Sequence, residues 1–257
     1  MMSYAFSRQS CWCLLMIVAC LPVHAESLAE IIQQIKPSIV GIATYQATRR
    51  PPTKLLGTGF VVAGGTLVAT NYHVVDQELS TESFEKLVVL AGTGPHARML
   101  DAKLVASDAS SDVALIRIEY SLPAMQLAPP GTVREGEEFA FTGFPVGAVL
   151  GLYPVTHKGM VSSITPIAIP APSSARLSAL KITRLKQPRL VYQLDATAYP
   201  GNSGSPLYDS ATGEVVGILN QVYVKLTKED VLSHPSGISY AIPIQYLLSL
   251  LADARLH

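Results

Sequence analysis

Three short segments hold side chains able to do covalent chemistry. In Gly201-Asn202-Ser203-Gly204-Ser205-Pro206-Leu207 a serine stands between glycines. Flanking glycines let the backbone turn sharply and present a hydroxyl with nothing beside it. The same turn, Gly201-Asn202-Ser203, can aim amides, those of Gly201 and Ser203 in particular, at one spot where negative charge develops. Taken alone, the segment also reads as a Gly-Ser hairpin turn. Thr70-Asn71-Tyr72-His73-Val74-Val75 places His73 at the end of a strand-like run, where a lone histidine is ordinarily structural. Ser111-Asp112-Val113-Ala114-Leu115-Ile116 places an acid directly before an apolar strand, which is also a common turn position. Asp108 lies nearby but does not lead into the apolar run.

Each part is weak alone, but the order His, Asp, Ser is one of the orders in which a general base, its orienting acid and a nucleophile occur together, distinct from Ser, Asp, His. Such a set performs acyl transfer. Ser203 attacks a carbonyl, His73 takes and returns the proton, and Asp112 holds the imidazole tautomer and stabilises its charged form. Each oxyanion-directed amide lowers the barrier by about 3 kcal/mol.

The elements that must position these residues are short strands. β-rich runs separated by Gly, Pro or Asn recur at Ile39 to Thr44, Gly59 to Val62, Thr66 to Ala69, Leu87 to Leu90 and Val113 to Ile118. They continue at Phe139 to Thr142, Gly159 to Ile164, Leu190 to Leu194, Val215 to Leu219 and Ser239 to Ile242. This spacing predicts an all-β barrel pair or sandwich rather than βαβ units. Two helices bracket it. Ser27-Leu28-Ala29-Glu30 has the spacing of a capping box, followed by Leu28, Ile31, Ile32 and Ile35 at helical period and a stop at Pro37. At the other end Pro243 opens a helix with a stripe of Ile244, Leu247, Leu248 and Leu251. Two stretches stand apart: the basic, Pro- and Ser-containing Thr165 to Pro188, and the polar Gln221 to Ser236. The first reads as a solvated surface loop or as a docking loop beside the site.

The chain of 257 residues is 49% hydrophobic, 15% charged and 7% aromatic, an ordinary globular composition that excludes disordered and fibrous classes. Lys plus Arg and Asp plus Glu are 19 each, so no basic field favours nucleic acid as a partner. The six histidines (His24, His73, His96, His157, His234 and His257) are scattered without an HExxH. No metal site is expected, and no cofactor either: Gly57-Thr58-Gly59 lacks the Lys and helix of a phosphate loop and reads as a strand entry.

Residues 1–25 pose a separate problem. Arg8 is the only charge before Glu26, Cys11 to Leu21 is an apolar run of secretory length, and Val23-His24-Ala25 predicts cleavage after Ala25. An uncleaved anchor is one alternative. Another is lipidation at Cys20, because Ile17-Val18-Ala19-Cys20 is similar to a bacterial lipobox; the chain meets a membrane only in these two cases. Every reading exports the chain to the periplasm or beyond. All three cysteines, Cys11, Cys13 and Cys20, fall in this segment, so residues 26–257 must fold without a disulfide.

The combined segments resemble the trypsin-like serine peptidases, most closely the HtrA/DegP-like bacterial branch. The matches are TNYHVV around His73, SDVALI around Asp112, TGFPVG at 142–147, YPGNSGSPL around Ser203 and GISYAIP at 237–243, with SLAEIIQQIKPSIVGI as the entry segment. They run in order over nearly the whole chain after residue 26. The resemblance implies two six-stranded antiparallel β-barrels with the triad between them, and cleavage of unfolded or exposed protein segments, as in envelope protein quality control. Alignment with the family puts Thr197, Ala198, Leu219 and Ser239 at the primary specificity pocket. None is charged, so small or medium apolar residues are expected before the cleaved bond, a choice worth about 1–3 kcal/mol.

Three departures qualify the resemblance. The branch usually carries a C-terminal PDZ domain, and this chain stops a few turns after Pro243, so tail sensing through a PDZ groove is not expected. Ser205 replaces the usual Gly, as in glutamyl endopeptidases similar to the staphylococcal V8 enzyme. Those enzymes carry a pocket histidine where this chain reads Gly217-Ile218-Leu219-Asn220, so glutamate specificity is not expected. The basic insert also looks longer than usual. The branch forms trimers through aromatic residues near the mature N-terminus, but none lies between Glu26 and Thr44, which favours a monomer. Competing readings are a non-catalytic module that binds peptides by strand addition, a latent enzyme awaiting loop ordering, and esterase chemistry as a side activity.

Overall fold

The computed structural model describes residues 27–80, 82–145, 151–167, 189–220 and 237–254. The leader segment with its lipobox, residues 168–188 of the basic insert, and the polar stretch up to Ser236 lie outside the described residues.

The chain enters through α1 (Leu28–Ile35), capped as the sequence predicts: Glu30 N–H donates to Ser27 Oγ at 3.4 Å, and Ser27 N–H donates to Glu30 Oε2 at 2.7 Å. Twelve strands follow. The first six are β1 (Ile39–Tyr45), β2 (Thr53–Val62), β3 (Leu67–Thr70), β4 (Lys86–Ala91), β5 (Arg98–Asp108) and β6 (Val113–Ile118), with α2 (Tyr72–Val75) after β3. The second six are β7 (Glu138–Gly143), β8 (Val155–Ile167), β9 (Arg189–Asp195), β10 (Pro206–Asp209), β11 (Val215–Asn220) and β12 (Ile238–Pro243), and α3 (Gln245–Asp253) ends the chain. Each set closes into an antiparallel barrel, in the orders β1-β2-β3-β6-β5-β4 and β10-β11-β12-β9-β8-β7.

Three apolar clusters hold the molecule together, and their arrangement explains why several strands read as unbroken apolar runs. Val40 and Ile42 of β1, with Ile116 and Ile118 of β6, fill the first barrel. Ile39, Val113 and Leu115, on the opposite faces of these strands, join a cluster between the barrels. That cluster also takes Phe144 and Tyr208, Ile31 and Ile35 of α1, and Leu247, Leu250 and Leu251 of α3. Phe141, Val161, Leu194 and Leu207 fill the second barrel. A strand buried on both faces shows no alternation.

Four details differ from expectation. Gly57-Thr58-Gly59 lies inside β2, not at its entry. Pro243 is the last residue of β12, and Ile244 caps α3. Thr165 to Ile167 extend β8 against Val191, Leu190 and Arg189 instead of opening a loop. His73 sits in α2, one turn beyond the strand.

Candidate active site

Asp112 is the most heavily bonded residue of the site. It lies between β5 and β6 with φ +57, a left-handed conformation that costs an L-residue about 1–2 kcal/mol. Its surroundings hold it there: its carbonyl accepts from Tyr72 N–H at 3.1 Å and from Asn71 Nδ2 at 3.2 Å. Oδ1 of its carboxylate accepts from His73 N–H at 2.8 Å, and Oδ2 meets His73 Nδ1 at 2.7 Å. An ionised carboxylate only accepts, so this bond makes Nδ1 the donor and leaves the lone pair on Nε2, the nitrogen a general base needs. The Asp112 side chain is 15% exposed and that of His73 29%, so the pair is buried on one side and open on the other.

A further residue completes the chain. Asn220, at the end of β11, donates from Nδ2 to Asp112 Oδ2 at 2.6 Å and is fully buried. It ties the second barrel to an acid of the first. In the sequence Asn220 attracted notice only as the place where a pocket histidine is missing; nothing in the spelling GILN marks a hydrogen-bond donor.

Ser203 arrives on two consecutive tight turns. Asn202 N–H donates to Tyr199 carbonyl at 3.0 Å, and the bracketed residues are Pro200 and Gly201, the latter at φ +101. Proline second and a left-handed glycine third is the pattern of a type II turn. Ser205 N–H closes the next turn on the Asn202 carbonyl at 3.0 Å, with Gly204 at φ +88. Of the three residues expected at the oxyanion position, Asn202 therefore has its amide engaged. Gly201 and Ser203 have amides with no acceptor among the described residues. The Gly201 carbonyl is drawn aside by Thr58 Oγ1 at 2.7 Å.

The turns dock closely on the first barrel. Thr58 N–H donates to the Ser203 carbonyl at 2.8 Å. A Cβ built on Gly57 would lie 2.8 Å from that carbonyl and 2.9 Å from Val74 Cγ2, so Ser203 and the residue after His73 flank one glycine. Ser203 is 6% exposed, and among the described residues no hydrogen bond is made by its hydroxyl, to His73 or to any other group. The link from nucleophile to base is thus open in this state, a common feature of sites without substrate.

The expected pocket residues assemble on the second barrel. Leu219 and Ala198 share its core cluster, and Leu219 is joined to the nucleophile turn by Gly204 N–H to its carbonyl at 2.9 Å. Ser239 pairs with Leu194 in register and buries a hydroxyl without a partner; Thr197 is half-buried. Under the turn lies His157, missed by sequence reading, with its ring stacked on Phe141 at 5.1 Å and 6.3 Å from Tyr199. Burial holds its imidazole below the usual histidine range. Asp108 lies apart from the triad. Burial pushes its carboxyl up, but the Ser110 and Ser111 hydroxyls, the Ser110 amide and Arg189 outweigh this and hold it low.

Two closed six-stranded barrels with His73, Asp112 and Ser203 converging between them place the chain in a known class. Residues 57–218 match the family described as the trypsin-like peptidase domain, and the chain belongs to that family. It is similar to a probable periplasmic serine endoprotease, DegP-like, of Pseudomonas fluorescens, 31% identical over 203 residues, covering 79% of this chain and 35% of the relative. The serine protease HTRA1A of Danio rerio is 29% identical over 233 residues, 88% of this chain and 41% of that protein. A putative serine protease, HhoA, of Synechocystis is 30% identical over 188 residues. The chain spans 35% to 41% of the length of these relatives.

Proposed function

We propose that this chain is an exported serine endopeptidase that cleaves unfolded or exposed protein segments by acyl transfer. The observation that carries the reading is the continuous chain Asn220, Asp112, His73 beside a serine on a double turn. Ser203 Oγ attacks the substrate carbonyl while His73 Nε2 accepts its proton. The imidazolium that forms is stabilised by Asp112, which already holds Nδ1. Charge on the former carbonyl oxygen is met by the amides of Gly201 and Ser203. His73 then returns the proton to the departing amine, and water hydrolyses the acyl-enzyme by the same steps reversed. Thr197, Ala198, Leu219 and Ser239 form the pocket for the residue before the cleaved bond, which is apolar and of small or medium size. The names of its relatives support a periplasmic location and, with it, a part in envelope protein quality control.

The test is labelling by a fluorophosphonate and cleavage of unfolded casein by residues 26–257, with Ser203→Ala as control. Both are expected in the unaltered chain alone. Equal cleavage by the variant contradicts the reading, and labelling without cleavage restricts it to narrow specificity.

A further inference from the structure

The open end of the first barrel holds a cavity of about 540 Å³ lined by Leu56, Val75, Leu79, Leu87, Ala102 and Leu104. Leu56, Val75, Leu87 and Ala102 pack against the cluster that fills the barrel, so the cavity is the barrel's mouth. Leu79 and Leu104 stand at its rim, 37% and 45% exposed. Mouths of barrels are common ligand sites, and large apolar side chains around a concavity gain by being covered.

The mouth is continuous with the candidate active site. Leu56 immediately precedes Gly57, which touches the Ser203 carbonyl, and Val75 lies two residues beyond His73. His73 must hand its proton to the departing amine, so the leaving half of a substrate passes α2. The pocket for the other half belongs to the second barrel. A departing segment therefore runs over the first barrel toward this mouth.

We propose that the mouth of the first barrel binds the leaving-group side of the substrate, an extended segment carrying a bulky apolar side chain followed by an acid. This rests on the acyl-transfer reading above. The walls come from four adjacent strands, β2, β1, β4 and β5. Three spacings of about 4.8 Å span about 14 Å, the length of about four extended residues. The acid follows from the rim charges. Glu85 is engaged by Arg49 at 2.6 Å and Lys86 by Asp101, whereas Lys103 has no carboxylate partner among the described residues.

The test uses two internally quenched peptides with one acyl half, ending in Ala-Val. Their leaving halves are Gly-Ser-Leu-Asp-Gly and Gly-Ser-Gly-Asp-Gly. An aminocoumarin amide of the same acyl half, with no leaving segment, is the control. The leucine peptide is expected to exceed the glycine peptide about tenfold in kcat/KM. Leu104→Glu is expected to abolish that preference while leaving aminocoumarin release and fluorophosphonate labelling unchanged. Lys103→Glu is expected to remove the preference for Asp over Lys in the same segment.

Binding is read separately by fluorescence anisotropy of the labelled leaving segments on Ser203→Ala. Selective binding without labelling of the unaltered chain overturns the acyl-transfer reading and leaves this site standing. Labelling with both segments bound alike overturns this proposal alone, as does equal loss on both peptides in Leu104→Glu. A dimer that Leu104→Glu converts to monomer, with both segments handled alike, assigns the mouth to a second copy of the chain and overturns it too.

Discussion

Removing the Asn220 side chain separates positioning of the triad from its mere presence. Asn220 Nδ2 and His73 Nδ1 share Asp112 Oδ2, at 2.6 and 2.7 Å, while Oδ1 is held by the His73 backbone. Asn220→Ala leaves the carboxylate anchored through one oxygen but free to pivot about it, and the bond to the imidazole loosens. A hydrogen bond to a charged group contributes about 1.5–3 kcal/mol. If that is lost mainly where charge builds on His73, the acylation rate falls about 10- to 150-fold, at about 1.36 kcal/mol per decade. Asn220→Asp is a sharper probe, because it sets two carboxylates against one another and forces one to hold a proton. At neutral pH this variant should be slower than Asn220→Ala. Its rate relative to the unaltered chain should rise as pH falls and the introduced carboxyl becomes a donor. The assay is the second-order rate of fluorophosphonate labelling between about pH 5 and 9, with thermal unfolding as a check on the fold. Labelling of folded Asn220→Ala within twofold of the unaltered chain at every pH refutes the reasoning.

Other perturbations follow from the same geometry. Gly204→Ala combines a left-handed φ of +88 with a Cβ driven into the Thr58 carbonyl and the Thr70 hydroxyl; labelling should be lost, with more than about 2 kcal/mol of stability gone in chemical denaturation. Ile31→Ala empties a site 1% exposed between α1 and the barrels. It should cost about 2–4 kcal/mol, while the labelling rate of folded molecules stays unchanged. Burial of His157 depresses its folded-state pKa, so the unfolded chain binds a proton more readily. The unaltered chain should keep its full stability above about pH 6.5 and lose some as pH falls toward the lower folded value. His157→Phe should flatten that slope in urea titrations at successive pH values.

The parts that sequence reading located are those whose signal is local. The capping box of α1 is four residues long and appears as predicted. Val113 to Ile118 is buried at five of six positions and coincides with β6. β5 escaped notice because its residues Arg98 to Asp108 are mostly exposed, with too few apolar positions to make a pattern. β10 escaped because four residues directly after the nucleophile turn are too short to read as a strand. His73, Asp112 and Ser203 were legible through spacing and flanking residues, yet their bonding was not. Asn220 lies 108 positions from Asp112, and only closure of both barrels brings it to that carboxylate. The engaged amide of Asn202 likewise depends on which turn Tyr199 to Asn202 adopts, and the left-handed Gly201 decides it.

The most direct test of the central claim is peptide-level mass spectrometry after fluorophosphonate treatment of the purified chain. A single adduct on Ser203, lost in His73→Ala and in the acid-unfolded chain, is the predicted result. An adduct on Ser205, or one on Ser203 that persists in either control, would show that Ser203 is not activated by His73, and would contradict acyl transfer at this site.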